Sequence, residues 1–261
     1  LGALVVAGLA SYALFYYVPA MLGVTTGYPL YVVGTSTFGT RGGYLMPGLL
    51  MGLLQIGWFS VGTFISTRFI LTGLGLDPTP GKPLFLALAT VWAVSLTIVG
   101  VKGIAYVARF ATILNVVPLV MILFVFARTG PSAGAYRPAE VNEVLAFVTL
   151  VQIVTGFFAT AGAAGTDFGL NNRDGRDVRL GGLVGIALSI VVAGGLPLVS
   201  VAGARALNPS IASFQYDAVI ASVGGWVGTA MYFLFALASV APGCFSAFIA
   251  GNSFGTMLPG I

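Results

Sequence analysis

Long apolar stretches recur along the whole of this chain, and they constrain its fold more than any other feature. Seven of them, named segments A to G, are separated by short polar loops and cover residues 3–34, 44–71, 84–101, 110–127, 145–166, 180–202 and 225–251. Each approaches or exceeds the roughly 20 residues that a helix needs to span the hydrocarbon of a bilayer. Because lipid offers the backbone no hydrogen-bond partners, uninterrupted runs of this length predict helices rather than the short alternating strands of a barrel.

The composition agrees with a membrane-embedded fold. The chain is 58% hydrophobic and 7% charged, whereas about a quarter of the residues in a soluble domain are charged. The predicted fold class is therefore all-α, a polytopic transmembrane helix bundle that forms a single transmembrane domain over residues 1–261. We expect a multi-pass protein of the cytoplasmic membrane, with the lipid bilayer as its main partner.

Several kinds of chemistry are excluded by residue counts. Histidine is absent and Cys244 is the single cysteine, so a metal site built on imidazole or thiolate clusters and a histidine general base are both ruled out. No catalytic residue, metal site or cofactor is predicted, and the expectation is a protein that is not an enzyme. The chain starts with leucine inside an apolar stretch, which we interpret as a fragment that lacks at least one upstream helix.

The basic residues give an orientation, because lysine and arginine accumulate on the cytoplasmic side of membrane proteins. Alternate loops hold six of the 11 basic residues, namely Arg41, Lys102, Arg109, Arg173, Arg176 and Arg179. These loops are predicted to be cytoplasmic. The net charge of +4 is then explained by topology and by anionic headgroups, and no nucleic acid partner is expected.

Segment E is rich in small residues, from Gly156 through Phe157, Phe158 and Thr160 to Gly162. Discontinuous helices with exposed backbone groups bind solutes in transporters, and glycine-rich interruptions indicate them. One interpretation is a broken helix whose phenylalanines flank a planar ligand. The other is a face of small residues that packs against a neighbouring helix.

Segment B places Gln55, Trp58 and Gly62 along one helical face, since they are three and four residues apart. An indole in mid-membrane can stack on an aromatic ring while polar groups bond the edge of that ring. The alternative is that Trp58 is simply a large packing residue.

Segment G carries Ser239 and Ser246 on one face, with Pro242 and Gly243 between them. A proline leaves a carbonyl unpaired one turn upstream. Hydroxyl and carbonyl oxygens suit a sodium ion or a polar solute, although serine hydroxyls also bond back to their own helix.

The loop between segments E and F is the densest charge cluster of the chain. Asp174 and Asp177 form a D-x-x-D pattern, which in a membrane prenyltransferase would hold magnesium and a diphosphate. The remaining acidic residues supply no second cluster on the same side. A cytoplasmic loop whose arginines fix the topology is the competing interpretation.

A set of motifs, taken together, resembles the nucleobase:cation symporter family in its cytosine and purine permease branch. They run in order along the whole chain and comprise residues 26–29 (TGYP), 38–43 (FGTRGG), 57–59 (GWF), 164–169 (AGTDFG) and 241–247 (APGCFSA). The resemblance implies a twelve-helix fold with two inverted five-helix repeats, of which segments A to G are the second to eighth helices. It further implies that a fragment without the first helix does not transport by itself.

The resemblance also assigns roles to residues. Trp58 matches a tryptophan that stacks on the base, and Phe158, or else Phe157, matches a second aromatic on the opposite face. Gly62 departs from the pattern, since some relatives carry an amide there. Ser239, Ala236 and Ala238 compete for the cation-binding positions, so the coupling ion is sodium or a proton.

These observations predict a cation-coupled transporter of a nucleobase such as cytosine or a purine, working by alternating access. The predicted substrate-binding residues are Trp58, Phe158, Phe157, Gln55, Gly62, Thr160 and Gly162. Two alternatives stay open: a related transporter for a non-aromatic solute such as allantoin or an amino acid, and a prenyltransferase-like enzyme that uses Asp174 and Asp177.

Overall fold

The fold is helical throughout the part of the chain that the structure describes. The computed structural model describes residues 1–103, 109, 111, 114, 116–138, 142–159, 162–211 and 213–257. Every regular element in these ranges is a helix, which confirms the all-α helix bundle. Six helical stretches there are long and apolar enough to cross a membrane, namely Gly2–Thr26, Gly48–Gly73, Pro83–Val101, Val116–Ala135, Gly175–Leu207 and Gly225–Met257.

The α-helices are numbered along the chain. They are α1 (Gly2–Tyr12), α2 (Val18–Thr26), α3 (Leu30–Val33), α4 (Thr35–Tyr44), α5 (Met51–Gly73), α6 (Pro83–Val101), α7 (Val116–Thr129), α8 (Glu143–Ala159), α9 (Gly162–Gly169), α10 (Gly175–Gly182), α11 (Ser189–Leu207), α12 (Tyr216–Val223), α13 (Gly225–Ala238) and α14 (Val240–Met257). π-helical turns at Ala13–Tyr17, Leu45–Leu50 and Leu183–Leu188 join α1 to α2, α4 to α5 and α10 to α11.

The elements divide several predicted segments. Segment A contains a π-helical turn, and its long helix ends at Thr26, because Gly27 takes a left-handed conformation with φ of 70° and donates its N–H to the carbonyl of Gly23. Segment G is divided at Ser239. Segment E comprises α8 and α9, and residues 160–161 between them lie outside the described residues.

The residues predicted as one transmembrane domain form two compact units. Unit 1 comprises Leu1–Leu50 and Tyr136–Val199, and unit 2 comprises Met51–Ala135 and Ser200–Ile261.

In unit 1, α2 packs against α9 and α1 packs against α8 and the π-helical turn 183–188. Glycines permit this close approach, since a Cβ at Gly23 would overlap the carbonyl of Thr166 and one at Gly169 would overlap that of Ala20. A polar contact adds to the packing, because the backbone N–H of Leu30 donates to Asp167 Oδ1 at 2.9 Å. The α2 and α9 backbones are therefore held together with little side chain between them.

In unit 2, α5 packs against α6, α13 and α14, and α14 also packs against α6. Small residues again lie at the crossings: a Cβ at Gly100 would come within 2.8 Å of the Cys244 carbonyl. A cluster of apolar side chains joins α7, α12 and α13 around the fully buried Val125, Val219 and Ile220. The short helix α12 is thus part of the core of unit 2 rather than an exposed loop.

Candidate functional site

The predicted face of segment B lies on the uninterrupted helix α5. Gln55 is 7% exposed, and its Nε2 lies 3.8 Å from the sulfur of Met51. Trp58 and Gly62 are half-buried. A Cβ added at Gly62 would meet nothing within 4 Å, so open space lies beside this position, one turn along the helix from the indole.

The predicted aromatic pair of segment E lies at the end of α8. The rings of Phe157 and Phe158 are 5.3 Å apart between centroids and meet edge to face at 62°. Phe157 is 53% exposed, whereas Phe158 is half-buried. Of the predicted backbone contributors, Thr160 lies outside the described residues.

The small residues of α9 make a packing face, the second interpretation considered for segment E. A Cβ at Gly162 would lie 3.3 Å from Phe15, and one at Gly165 would lie 2.6 Å from Pro19. Together with Gly169, these glycines allow α2 and its preceding π-helical turn to come close. Gly156 differs, because a Cβ there would meet nothing within 4 Å. A discontinuity that binds solute therefore remains a prediction for the residues between α8 and α9.

Trp58 belongs to unit 2 and the two phenylalanines belong to unit 1. The Phe157 ring is exposed and the Trp58 ring is half-buried. Open space lies one turn along the helix from Trp58, at Gly62. The stacking of one ligand between both sets stays a prediction.

The predicted cation-binding residues cluster where α13 gives way to α14. Ser239 lies between the two helices, and its hydroxyl donates to the carbonyl of Ala236 at 2.7 Å. Pro242 falls in the first turn of α14 and has no N–H to offer the carbonyl of Ala238. The break thus gathers hydroxyl and carbonyl oxygens, which are ligands suited to hard cations.

Sequence reasoning missed the hydroxyl partner of Ser239. Ser66 Oγ on α5 lies 2.5 Å from Ser239 Oγ and also donates to the carbonyl of Gly62 at 2.7 Å. The hydroxyl of Thr63 is buried and has no hydrogen-bond partner within the described residues. The sequence did contain a pattern that indicates this cluster, since Thr63, Ser66 and Thr67 follow the helical spacing of one face. The structure buries all three side chains.

Asp174 and Asp177, the two acids of the D-x-x-D pattern, are engaged in local contacts. Asp174 Oδ1 accepts hydrogen bonds from the backbone N–H groups of Arg176 and Asp177 at 2.8 and 3.0 Å, which caps the start of α10. Arg173 holds Asp177 in a two-pronged ion pair, at 2.8 and 3.2 Å. These contacts stabilise a helix start and a loop, and they favour the structural interpretation of the pattern.

Comparison with known proteins adds an independent observation. No protein-family model matches the chain. The cytosine permeases of Escherichia coli strain K12 and of Escherichia coli O157:H7 are each 26% identical to it over 192 residues. The chain is similar to cytosine permeases. The resemblance drawn from the motifs is thereby confirmed.

The alignment covers only part of each protein. It covers 72% of this chain and 43% of each permease, so the chain spans less than half the length of the curated relatives it matches. With the six membrane-length apolar helices of the described residues, the similarity identifies a multi-pass integral membrane protein.

Proposed function

We propose that this chain belongs to a secondary transporter that carries a nucleobase, such as cytosine or a purine, by cation-coupled symport and alternating access. The observation that supports this most is the face of α5, which carries a half-buried indole and a buried amide along the same side as the open position Gly62. A planar heterocycle needs both a stacking surface and hydrogen-bonding groups for its edge. The similarity to proteins named cytosine permease supports a transporter over an enzyme.

The proposed roles follow from the chemistry of the side chains. Trp58 stacks on one face of the base, and Phe158, or Phe157, covers the other. Backbone groups around Thr160 and Gly162 bond the ring edge together with the amide of Gln55. Stacking of a base on an aromatic side chain contributes about 1–3 kcal/mol, which corresponds to roughly five- to 150-fold in affinity.

The coupling ion in this proposal is sodium or a proton. For sodium, the hydroxyl of Ser239 with the carbonyls of Ala236 and Ala238 would supply oxygen ligands of the kind that hard cations prefer. A proton-coupled transporter would need no such ligands. The two are separated by measuring uptake in sodium-free buffer across a pH series.

The proposal is tested by replacing the stacking residue. In the complete transporter, Trp58→Ala should abolish nucleobase uptake, and Trp58→Phe should retain part of it because a smaller aromatic face remains. Trp226→Ala is the matched control, since Trp226 is 82% exposed at the start of α13 and has no role in the proposed site. If the Trp58→Ala variant and the unmodified protein are present in equal amounts in the membrane and show equal uptake, Trp58 does not stack on the base.

A further inference from the structure

The long helical segment that begins at Gly175 is more than long enough to span a bilayer. It runs to Leu207 over 33 residues, or about 50 Å at 1.5 Å per residue, whereas the hydrocarbon core is about 30 Å thick. The segment therefore extends beyond the hydrocarbon, and the charged residues of its first turns favour the headgroup region for that end. By the distribution of basic residues, this end lies at the cytoplasmic leaflet.

An exposed apolar strip follows the start of this segment. Leu180, Val184 and Leu188 are 51%, 59% and 53% exposed and succeed one another at intervals of four residues. Val178 is fully buried and fixes which side of α10 turns into unit 1. The strip continues from Arg176, which lies four residues before Leu180 and is also exposed.

Two arginines of this loop form no ion pair with a carboxylate of the described residues. Asp177 is held by Arg173, and Asp174 accepts from backbone N–H groups. Within the described residues, the guanidinium groups of Arg176 and Arg179 make no hydrogen bond or ion pair. They are three residues apart in α10, which places them on the same side of the helix.

A tyrosine cluster borders the same place. The rings of Tyr12 and Tyr16 pack against Gly182, and the hydroxyl of Tyr16 would lie 3.6 Å from a Cβ at Gly181. Gly182 lies three residues after Arg179, so the two rings pack on the flank of the helix next to that arginine. Tyrosine is typical of the boundary between hydrocarbon and headgroups, where its ring is apolar and its hydroxyl finds polar partners.

We propose that this face binds an anionic phospholipid. The phosphate lies between Arg176 and Arg179, and an acyl chain runs along Leu180, Val184 and Leu188. Guanidinium groups form two-pronged hydrogen bonds with phosphate oxygens. Residues 173–179 hold three arginines and two aspartates, and this net positive charge favours a lipid of net negative charge over a zwitterionic one.

The test is lipid binding to the purified protein in neutral detergent, measured by native mass spectrometry with phosphatidylglycerol or phosphatidylcholine. The unmodified protein should bind phosphatidylglycerol more tightly, and Arg176→Gln and Arg179→Gln should each weaken that binding about fivefold. Binding of phosphatidylcholine should stay unchanged. Arg128→Gln is the matched control, because it removes one arginine from an exposed position on another helix.

A second measurement separates a lipid site from a site for free phosphate. Glycerol phosphate carries the same phosphate group without acyl chains, and millimolar amounts should leave the phosphatidylglycerol bound. Equal binding of the two lipids by the unmodified protein would overturn the proposal. So would unchanged phosphatidylglycerol binding in the glutamine variants, or displacement of the lipid by glycerol phosphate.

Discussion

At the residue scale, the contacts of Ser66 and Ser239 exceed the hydrogens available to them. Their hydroxyl oxygens are within bonding distance of each other and of the carbonyls of Gly62 and Ala236. Two hydroxyls hold two hydrogens, so only two of these three contacts are hydrogen bonds at any moment. One oxygen at this junction is consequently always short of a donor, which makes it a suitable ligand for a cation.

The two serines should have opposite effects on sodium if Ser239 is a ligand of the coupling ion. In the complete transporter, Ser239→Ala removes the ligand and should raise the sodium concentration needed for half-maximal nucleobase uptake. Ser66→Ala removes the competing hydroxyl and should lower that concentration, by up to about fivefold for a net hydrogen bond of roughly 1 kcal/mol. Shifts in the same direction, or uptake that ignores sodium, would show that this junction does not bind the coupling ion.

In α12, the contribution of an ion pair to the free energy of unfolding can be compared with that of a buried apolar side chain. Asp217 pairs with Arg68 at 3.3 Å, but both side chains are partly exposed, so Asp217→Asn should cost about 0–1 kcal/mol of unfolding free energy. Ile220 is fully buried, and Ile220→Ala should cost about 2–5 kcal/mol. Chemical denaturation in detergent measures both, and a larger loss for Asp217→Asn would contradict this order.

At the element scale, the sequence did not predict which helices pack against each other. The pattern of Gln55, Trp58 and Gly62 predicted a single helical face, and α5 carries all three. The glycines of segment E fitted either a break or a packing face, because the choice depends on α2, which lies about 140 residues earlier in the chain. Ser66 and Ser239 are likewise far apart in sequence, so their contact was invisible without the fold.

The α2 and α9 pair should be intolerant of added side-chain volume. Gly169→Ala would place a methyl group against the Ala20 carbonyl, forcing the two helices apart and lowering the melting temperature of the protein in detergent. Gly156→Ala is the control on α8, where a Cβ meets nothing within 4 Å; it should be neutral or slightly stabilising, by up to about 1 kcal/mol. Equal melting temperatures for both variants would rule out the close packing.

At the scale of the whole molecule, the orientation stays a prediction drawn from the basic residues of alternate loops. Lys82 and Arg68, which are not among the six basic residues of the predicted cytoplasmic loops, are paired with Asp77 and Asp217. Hydrogen bonds from Lys82 and Thr79 hold the pKa of the Asp77 carboxyl well below its usual range. Composition and periodicity sufficed to predict the helix bundle, while the division into two units depends on contacts between distant segments.

The orientation is tested with single cysteines in a Cys244→Ala background. Asn171→Cys lies in the predicted cytoplasmic loop and Pro80→Cys in a predicted external one, and both positions are exposed. A maleimide that cannot cross membranes should label position 80 in intact cells and position 171 only after the cells are opened. The reverse labelling pattern would invert the topology.

Binding of labelled cytosine to the purified complete transporter, with adenine, hypoxanthine and allantoin as competitors, tests whether this chain forms part of a nucleobase site. We expect saturable binding that a nucleobase displaces, that sodium or acid strengthens, and that Trp58→Ala abolishes. Displacement by allantoin but by no nucleobase, or the absence of saturable binding, would contradict it.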